Sequence, residues 1–544
     1  MKKIVKKLIL YYLAFVIVKS IISYFIPAPS AFSDEYIYAR LARSLFYGFD
    51  FTIHGIDVGK PLPLYSLVLS PAYSFGKMAI VYPVMKVINS IISSLIIFPA
   101  FLLAKEFITT RRALLIAILI SLLPSSFSIT PYILAENLFY PLFLFSIYFI
   151  FKTLNSDKTY WPVLAGLFIG LTYLTRIIGV VLIAVLVVVF IYKLIAKEKV
   201  NKSHFFIIFL VAALVVVPWL IRTFLLQNTI LGGYTEEALT VFELHKFLGK
   251  YIIQFILYIG LLIIPSAIFL PMLISKKIFS KKTRTFAVLA LSSIFFILVV
   301  AANHNVMIPS DFPVDAPFKH LPWLAGRLVG RYVDAVIPII LILGAICIRE
   351  KVSLKKTILT SAILIFSSQI VLTRLFPVNH ISMTHIGVIN EFLLLFTRFP
   401  VNMYIMAVIL GIIPFMLYKS RLHLHKLLVP LGIFLILLNV LNFGLIYYNS
   451  DTFWHDQEQM QLGIWFDSNN IETSNVLFDK RDCTSIIYKL DQSSICEPSG
   501  YFTIIGFWLN DNIKVETPDN LENTDFIISR HEFDLPIVKQ SESG

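Results

Sequence analysis

Long apolar runs alternate with short charged loops over most of this chain. Each run holds about 17–25 residues, the length that an α-helix needs to cross the roughly 30 Å of hydrocarbon in a bilayer. We therefore predict an all-α polytopic membrane domain over residues 1–450, with about thirteen spanning helices. The predicted spans are 8–27, 82–103, 113–131, 137–151, 160–175, 178–192, 204–221, 251–274, 286–303, 332–348, 357–372, 402–418 and 427–447. Almost no turn separates 160–175 from 178–192, so one bent re-entrant pair is an alternative there.

The composition also indicates a membrane protein. Hydrophobic residues make up 58% of the chain and charged residues 15%, with a mean hydropathy of +0.81. These values exclude a soluble globular protein. Basic residues gather in alternate short loops, beginning with Lys2 and Lys3, so the positive-inside rule places the amino terminus in the cytoplasm. The net charge of +13 then reflects topology and contact with anionic lipid, and we predict no nucleic-acid partner.

The chain changes character after residue 450. Residues 451–544 hold 17 acidic and 6 basic side chains, and their apolar runs shrink to strand length. We predict a separate, extracytoplasmic α/β domain that either covers the active face and selects acceptors or only packs against the outer loops. Its predicted elements are helices at 456–469 and 484–490 and strands at 475–479 and 525–529. Cys483 and Cys496 lie in this domain, either as a disulfide or as unpaired core residues.

The first outer loop, residues 28–81, contains two predicted surface helices. Apolar residues recur at intervals of three and four over 36–46, as in a helix lying on a membrane, and Gly48 then ends it. Residues 60–65 begin the next element, with prolines where a turn or a first helical residue is tolerated, and the apolar run 65–73 that follows is too short to span. Since loops on a rigid scaffold usually carry function, we expect the outer face to be the working face.

Acidic residues near the ends of apolar spans are the first candidates for chemistry. Asp34 and Glu35 follow the first span, and Glu136 lies at the turn between the third and fourth. A carboxylate at the membrane boundary is costly unless it has a use. Neighbours on a helix point about 100° apart, so Asp34 and Glu35 cannot share one site equally. We choose Asp34 as the one that faces a cavity, which Glu136 shares. The alternative is that these acids only cap helices.

Cations beside the apolar spans are the second set of candidates. They are Lys60, Arg176, Arg222, Arg327 and Arg331. Together they suit a phosphate, which Arg and Lys bind through charge-assisted hydrogen bonds, although each alone is equally consistent with a side chain that reaches toward water. The sequence has no metal-ligand spacing, so we predict no metal site. A divalent cation between Asp34 and Glu136 is the alternative.

These motifs, in this order and on one side of the membrane, resemble those of the GT-C glycosyltransferases. Within that superfamily the likeness is to the protein O-mannosyltransferase and aminoarabinose transferase families, over roughly the first 350 residues. The matching motifs are Asp34-Glu35, Lys60-Pro61-Leu62-Pro63-Leu64-Tyr65, Ala135-Glu136-Asn137-Leu138, Gly170-Leu171-Thr172-Tyr173-Leu174-Thr175-Arg176, Pro218-Trp219-Leu220-Ile221-Arg222 and Gly330-Arg331-Tyr332.

The resemblance implies a membrane enzyme that moves a sugar from a dolichyl- or undecaprenyl-phosphate carrier to a protein, lipid or glycan acceptor outside the cytoplasm. It also implies that Asp34 is the base, Glu136 the second acid of the cavity, and Lys60 and Arg222 neighbours of the donor phosphate. Aminoarabinose transferases carry an arginine two residues after the acid pair, where this chain has Ile37. Either Arg40 or an arginine from a later loop replaces it, or the donor binds differently.

Two other classes of function compete with this interpretation. A transporter or flippase of lipid-linked sugars would also use basic outer residues, but it predicts ionisable groups near the bilayer midplane. Lys19 and Lys86 are the main such groups in the predicted spans, so we favour the enzyme. A scaffold or sensor anchored by its spans is the third class, and so many spans exceed what an anchor requires.

Overall fold

The computed structural model is mostly helical. It describes residues 2–53, 56–58, 62–198, 200–232, 248–263, 265–267, 269–273, 275–307, 329–347, 353–371, 408, 411–416, 418, 424–469, 475–479, 481, 485–490, 493–497, 501–509, 513–516, 521, 524–529 and 531–537.

Helices account for most of the described residues in the first 450 positions. They are α1 (Lys2–Tyr24), α2 (Phe32–Tyr47), α3 (Pro63–Leu69), α4 (Met78–Ser94), α5 (Ile97–Lys105), α6 (Thr110–Ser121), α7 (Pro124–Phe127), α8 (Glu136–Leu154), α9 (Tyr160–Thr175), α10 (Val181–Ile195), α11 (Lys202–Gln227), α12 (Leu248–Ile263), α13 (Leu270–Leu273), α14 (Arg284–Met307), α15 (Ile337–Cys347), α16 (Leu354–Val371) and α17 (Leu424–Tyr448). Short 3₁₀ helices cover Ser70–Phe75, Ile177–Val180, Lys276–Phe279, Gly330–Tyr332 and Asp334–Val336, and a π-helix covers Asn449–His455.

Six helical segments among the described residues are long and apolar enough to cross a membrane. They are Met78–Lys105, Glu136–Leu154, Ile177–Ile195, Lys202–Gln227, Arg284–His304 and Leu428–Thr452. Shorter apolar helices are Tyr160–Thr175, Leu248–Ile263 and Asp334–Cys347. The chain is therefore a multi-pass membrane protein. The count of about thirteen spans and the side on which each terminus lies remain predictions.

Several predicted spans are divided in the structure. In the run predicted as 251–274, α12 ends at Ile263, Pro265 lies in a turn, and the next helix begins at Leu270. Between α9 and the following 3₁₀ helix, only Arg176 separates the two elements, and its backbone is extended at φ −150° and ψ 138°. Most of the predicted span 402–418 lies outside the described residues.

The residues after 450 form helices and short strands. The helices are α18 (Glu458–Ser468) and α19 (Tyr501–Trp508), and the strands are β3 (Val476–Asp479), β4 (Ser485–Leu490), β5 (Ser493–Glu497), β6 (Ile513–Glu516) and β7 (Phe526–Ile528). Strand β3 lies between β6 and β7 in a parallel sheet, with Val476 opposite Ile513 and Phe526. The boundary predicted at residue 451 stays a prediction.

The predicted helix at 484–490 is wrong. These residues form β4, which pairs antiparallel with β5. The β-branched and aromatic run at Ile486, Ile487 and Tyr488 favours a strand, a signal that the helical interpretation missed. Cys483 lies outside the described residues, so its pairing with Cys496 stays a prediction.

The two predicted surface helices of the first loop are present. Helix α2 covers the stretch predicted at 36–46, and α3 begins with Pro63 at its first position, where the missing N–H costs nothing. The two-residue strands β1 (Thr52–Ile53) and β2 (Ile56–Asp57) form a small antiparallel hairpin between them. This loop therefore supplies the ordered elements that surround Asp34.

Candidate active site

A cavity of about 850 Å³ lies where the first loop meets the ends of several helices. Its lining residues come from α2, α8, α9, α10, α11, α14 and the 3₁₀ turns after α9 and before α15. The charged members are Asp34, Glu136, Arg176 and Arg331, with His304, Asn303, Tyr38 and Tyr332 among the polar ones. Most of the remaining wall is aliphatic, with Ile169, Ile183, Ala212, Val216, Val217, Leu220 and Val300 among its residues. The cavity thus combines a cluster of charges with an extensive apolar surface.

The charged side chains form one connected chain of ion pairs. Arg331 Nη1 lies 2.6 Å from Asp34 Oδ2, and Arg331 Nε lies 3.5 Å from Glu136 Oε1. Arg176 also pairs with Glu136 through its Nη1 atom. Arg331 therefore stands between the two carboxylates, in the place that the sequence alternative gave to a divalent cation. Among the described residues, no group of three or more His, Cys, Asp or Glu side chains could hold a metal ion.

Tyr332 and His304 complete the polar part of the cavity, and the sequence analysis did not select them. The guanidinium of Arg176 lies 4.9 Å from the centre of the Tyr332 ring, and that of Arg331 lies 5.8 Å from it. The Tyr332 hydroxyl lies 3.1 Å from His304 Nε2. Tyr332 thus holds both arginines against α14. The usable signals were a histidine near the end of an apolar span and a tyrosine directly after Arg331.

Local structure places both acids at helix starts. Asp34 lies in the first turn of α2, and Glu136 is the first residue of α8. The turn that leads into α8 is fixed by Asn89 of α4, whose amide donates to the carbonyl oxygens of Thr130 and Tyr132 at 3.3 and 2.9 Å. The dipole of each helix therefore interacts favourably with the carboxylate at its amino terminus.

Glu35 has different surroundings from Asp34. It is fully buried, and its Oε1 accepts the backbone N–H groups of Ser30 at 3.0 Å and Ala31 at 2.7 Å. Its Oε2 accepts the N–H of Ile133 at 3.0 Å. Glu35 therefore joins the start of α2 to the turn before Glu136, and it does not line the cavity.

The two neighbouring acids also differ in pKa. Burial raises the pKa of Glu35 to about 7, against the opposing effect of its three backbone hydrogen bonds. Desolvation acts on Asp34 in the same direction, but the ion pair with Arg331 and the charge of Arg176 outweigh it and lower its pKa below the usual value. Asp34 is thus held as a carboxylate at neutral pH.

Of the other predicted phosphate ligands, Arg222 and Arg40 lie outside the cavity, and Lys60 lies outside the described residues. Arg222 Nη2 lies 2.9 Å from Asp57 Oδ1 of the β1–β2 hairpin, and its guanidinium stacks on Trp219 and Phe51. Arg40 donates to the Leu509 carbonyl. Neither arginine lines the cavity. Arg327 also lies outside the described residues, so the roles of Lys60 and Arg327 stay predictions.

Comparisons with known proteins agree with this architecture. The family model of dolichyl-phosphate-mannose-protein mannosyltransferases matches residues 71–221, which include Glu136 and Arg176. The crystal structure of ArnT from Cupriavidus metallidurans bound to undecaprenyl phosphate aligns with a TM-score of 0.57 and 15% identity, over 93% of this chain and 85% of that chain. The fold is that of the GT-C glycosyltransferases.

A second ArnT structure, from the same organism in the apo state, gives a similar result. It aligns with a TM-score of 0.54 and 14% identity, over 94% of this chain and 86% of that chain. A search of curated protein sequences finds no match.

Within this GT-C fold, the departure at Ile37 has a structural counterpart. Ile37 lies in the cavity wall one turn of α2 from Asp34, at the position where the resemblance predicts an arginine. Arginines from two later elements, Arg176 and Arg331, lie in the charged cluster instead. That one of them replaces the missing arginine remains a prediction.

Proposed function

We propose that this protein transfers a sugar from a polyprenyl-phosphate carrier to an acceptor hydroxyl on a protein, lipid or glycan. The observation that carries the proposal is the cavity itself, which joins a cluster of two acids and two arginines to a long aliphatic wall. A lipid-linked sugar phosphate has the same division into an anionic head and an apolar chain. The GT-C fold and the undecaprenyl phosphate bound by ArnT support this choice of donor.

In the proposed reaction, the acceptor oxygen forms a bond to the anomeric carbon while the bond from that carbon to the phosphate oxygen breaks. The bonding electrons leave with the polyprenyl phosphate. A prenyl phosphate is already a stable anion, so departure needs nearby cations more than a general acid. Arg331 and Arg176 are the cations within the cavity, while Lys60 and Arg222 stay candidates from the sequence.

Asp34 is the proposed base. Its carboxylate is ionised and 36% exposed toward the cavity, so it is free to receive the hydroxyl proton of an acceptor that enters there. A positioned base contributes on the order of 10²- to 10⁴-fold in rate. Glu136 is proposed to hold Arg176 and Arg331 in place. With the base and the leaving group on opposite faces of the sugar, the expected outcome is inversion.

The donor phosphate and Asp34 compete for Arg331 in this scheme. With an empty cavity, the guanidinium neutralises Asp34 at 2.6 Å. A phosphate that draws Arg331 away leaves Asp34 with less positive charge beside it, which strengthens it as a base. The proposal therefore predicts that the donor binds before the acceptor reacts.

The transporter alternative is not favoured, because the matched family model and the aligned ArnT structures belong to glycosyltransferases. A direct test supplies the purified protein with a panel of polyprenyl-phosphate sugars and a mixture of hydroxyl acceptors, and measures the release of prenyl phosphate. Turnover with one donor, lost in Asp34→Asn, supports the proposal. No turnover with any donor, together with movement of the donor across vesicles, would favour the transporter.

The proposed site faces the outside of the cytoplasm, with the amino terminus inside. This orientation rests on the positive-inside pattern of the loops. Labelling with a membrane-impermeant reagent at residues 33–36 in intact cells tests it. Labelling only after the cells are opened would place the site in the cytosol and overturn the proposed direction of transfer.

A further inference from the structure

Helix α2, which carries Asp34, directly contacts the residues after 450, which we call the C-terminal segment. Arg40 lies six residues after Asp34 on α2, is only 4% exposed, and donates its Nη1 hydrogen bond to the carbonyl oxygen of Leu509. Leu509 follows the last residue of α19, and α19 packs along α2. The side chain of Arg40 therefore binds the C-terminal segment and does not line the cavity.

A second contact joins the C-terminal segment to the membrane span Met78–Lys105. Asp467 of α18 is 5% exposed, and its two carboxylate oxygens accept the N–H groups of Met78 and Ala79, each at 2.8 Å. These N–H groups open α4 and have no acceptor within the helix. A carboxylate here also complements the positive end of the helix dipole. Asp467 therefore fixes α18 to the start of α4.

Two further contacts surround these polar ones. The Tyr82 ring of α4 lies 5.5 Å from Phe507 and 6.2 Å from Trp508, in edge-on arrangements. Ser450, which is fully buried, accepts the N–H of Ala28 at 2.9 Å, four residues before α2 begins. The C-terminal interface, defined by Arg40, Asp467, Phe507, Trp508 and Leu509, thus constrains α2 at its middle and α4 at its start, while Ser450 of the membrane segment Leu428–Thr452 contacts the chain before α2.

From this geometry we propose that Arg40 and Asp467 are positioning residues, through which the C-terminal segment sets the rotation and depth of α2 and so places Asp34 in the cavity. The inference rests on the proposed function, in which Asp34 accepts the acceptor proton. A rotation of α2 about its axis would turn Asp34 away from Arg331. A misplacement of about 1 Å at a reacting group can cost on the order of 10²-fold in rate.

The test compares kcat and the donor KM of four variants with those of the full-length wild type, well below the unfolding temperature. Arg40→Met and Asp467→Asn should lower kcat about tenfold or more and leave the donor KM within about twofold. Arg40→Lys keeps a donor for the Leu509 carbonyl and should recover most of the lost rate. Asp456→Asn is the matched control, because Asp456 lies in the same segment and its side chain is 71% exposed.

A raised donor KM with unchanged kcat in Arg40→Met would make Arg40 a phosphate ligand and overturn the inference. Unchanged kcat in both Arg40→Met and Asp467→Asn would show that the C-terminal interface only packs against α2, and would also overturn the inference. Equal losses in Arg40→Lys and Arg40→Met would contradict the role of the hydrogen bond.

A second measurement separates this inference from the proposed function. A maleimide reacts with the thiol of Asp34→Cys, and the parent protein gives the background from the native cysteines. Adding Arg40→Met should change the labelling rate at least about threefold, whereas adding Asp456→Asn should not. Absence of turnover in the wild type would defeat the proposed function, while the labelling rates would still decide whether the interface positions α2.

Discussion

Two adjacent carboxylates on α2 lie in regions of opposite character. Asp34 borders the cavity, is 36% exposed, and pairs with the side chain of Arg331. Glu35 is fully buried and is held by backbone N–H groups of Ser30, Ala31 and Ile133. Adjacent residues therefore differ in their partners: Asp34 pairs with a side chain, and Glu35 is bonded to the backbone.

The difference shows what a catalytic acid needs beyond its chemical type. A guanidinium on a long side chain can turn toward an arriving phosphate, whereas a backbone N–H is fixed by the chain around it. In the proposed reaction, substrate releases Asp34 from Arg331, while Glu35 stays bonded and connects α2 to the turn before α8. Substitutions at the two positions should separate chemistry from stability.

Asp34→Asn should have the largest effect on activity. The amide keeps the shape of the side chain but cannot accept the acceptor proton, so kcat should fall on the order of 10²- to 10⁴-fold. The thermal unfolding midpoint should change little, since Arg331 retains its contact with Glu136. Prenyl phosphate release and a thermal melt in detergent measure the two quantities. Near-normal activity would remove Asp34 from the role of base.

Arg331→Gln should have the next largest effect, and on donor use. Losing a charge-assisted hydrogen bond costs about 1.5–3 kcal/mol, which corresponds to roughly a 10- to 100-fold rise in the donor KM. Arg222→Gln is the comparison, because Arg222 is the other described candidate and the structure pairs it with Asp57 outside the cavity, so its donor KM should rise less. Equal rises in both variants would show that the phosphate is not held mainly by the arginine beside Asp34.

Glu35→Ala should act on stability more than on the chemical step. It removes the acceptor of three backbone N–H groups, and a buried donor left without an acceptor costs about 1–3 kcal/mol. We expect a loss of about that size in total, because the space left by the side chain admits water to the remaining donors. A lower thermal midpoint with the donor KM unchanged is the expected result. An unchanged midpoint together with lost activity would make Glu35 a catalytic group.

The sequence allowed the helices and the acids to be predicted because those features are local. An apolar run of sufficient length specifies a span, and the angle between helix neighbours separates Asp34 from Glu35. The interruption after Ile263 is also local, and Pro265 lies in the turn there.

Pairings between distant residues could not be predicted in this way. Nothing along the chain indicates that Arg331 meets Asp34, that Asp467 caps α4, or that the charge of Arg40 is used at the C-terminal interface. Each of these contacts depends on how helices pack in three dimensions. The sequence therefore indicates candidate residues for the chemistry, and the fold determines which of them meet.

Glu35→Gln should give the smallest effect, a change in how stability depends on pH. The folded protein raises the pKa of Glu35 to about 7 from its usual 4.5 because the carboxyl group is buried. An acid with a raised folded-state pKa contributes most stability when both states are protonated, and it loses that contribution as pH rises through the folded value. Glutamine does not ionise, so the variant lacks this loss.

The wild type should therefore lose stability relative to Glu35→Gln between about pH 4.5 and pH 7, and the difference between their thermal midpoints should then level off. Asp34→Asn, measured over the same range, is the control, because the ion pair with Arg331 lowers the pKa of Asp34 and moves its titration to more acidic pH. A constant difference between wild type and Glu35→Gln across this range would show that Glu35 is already ionised in the folded protein. The backbone N–H groups around it would then stabilise the carboxylate more than burial opposes it.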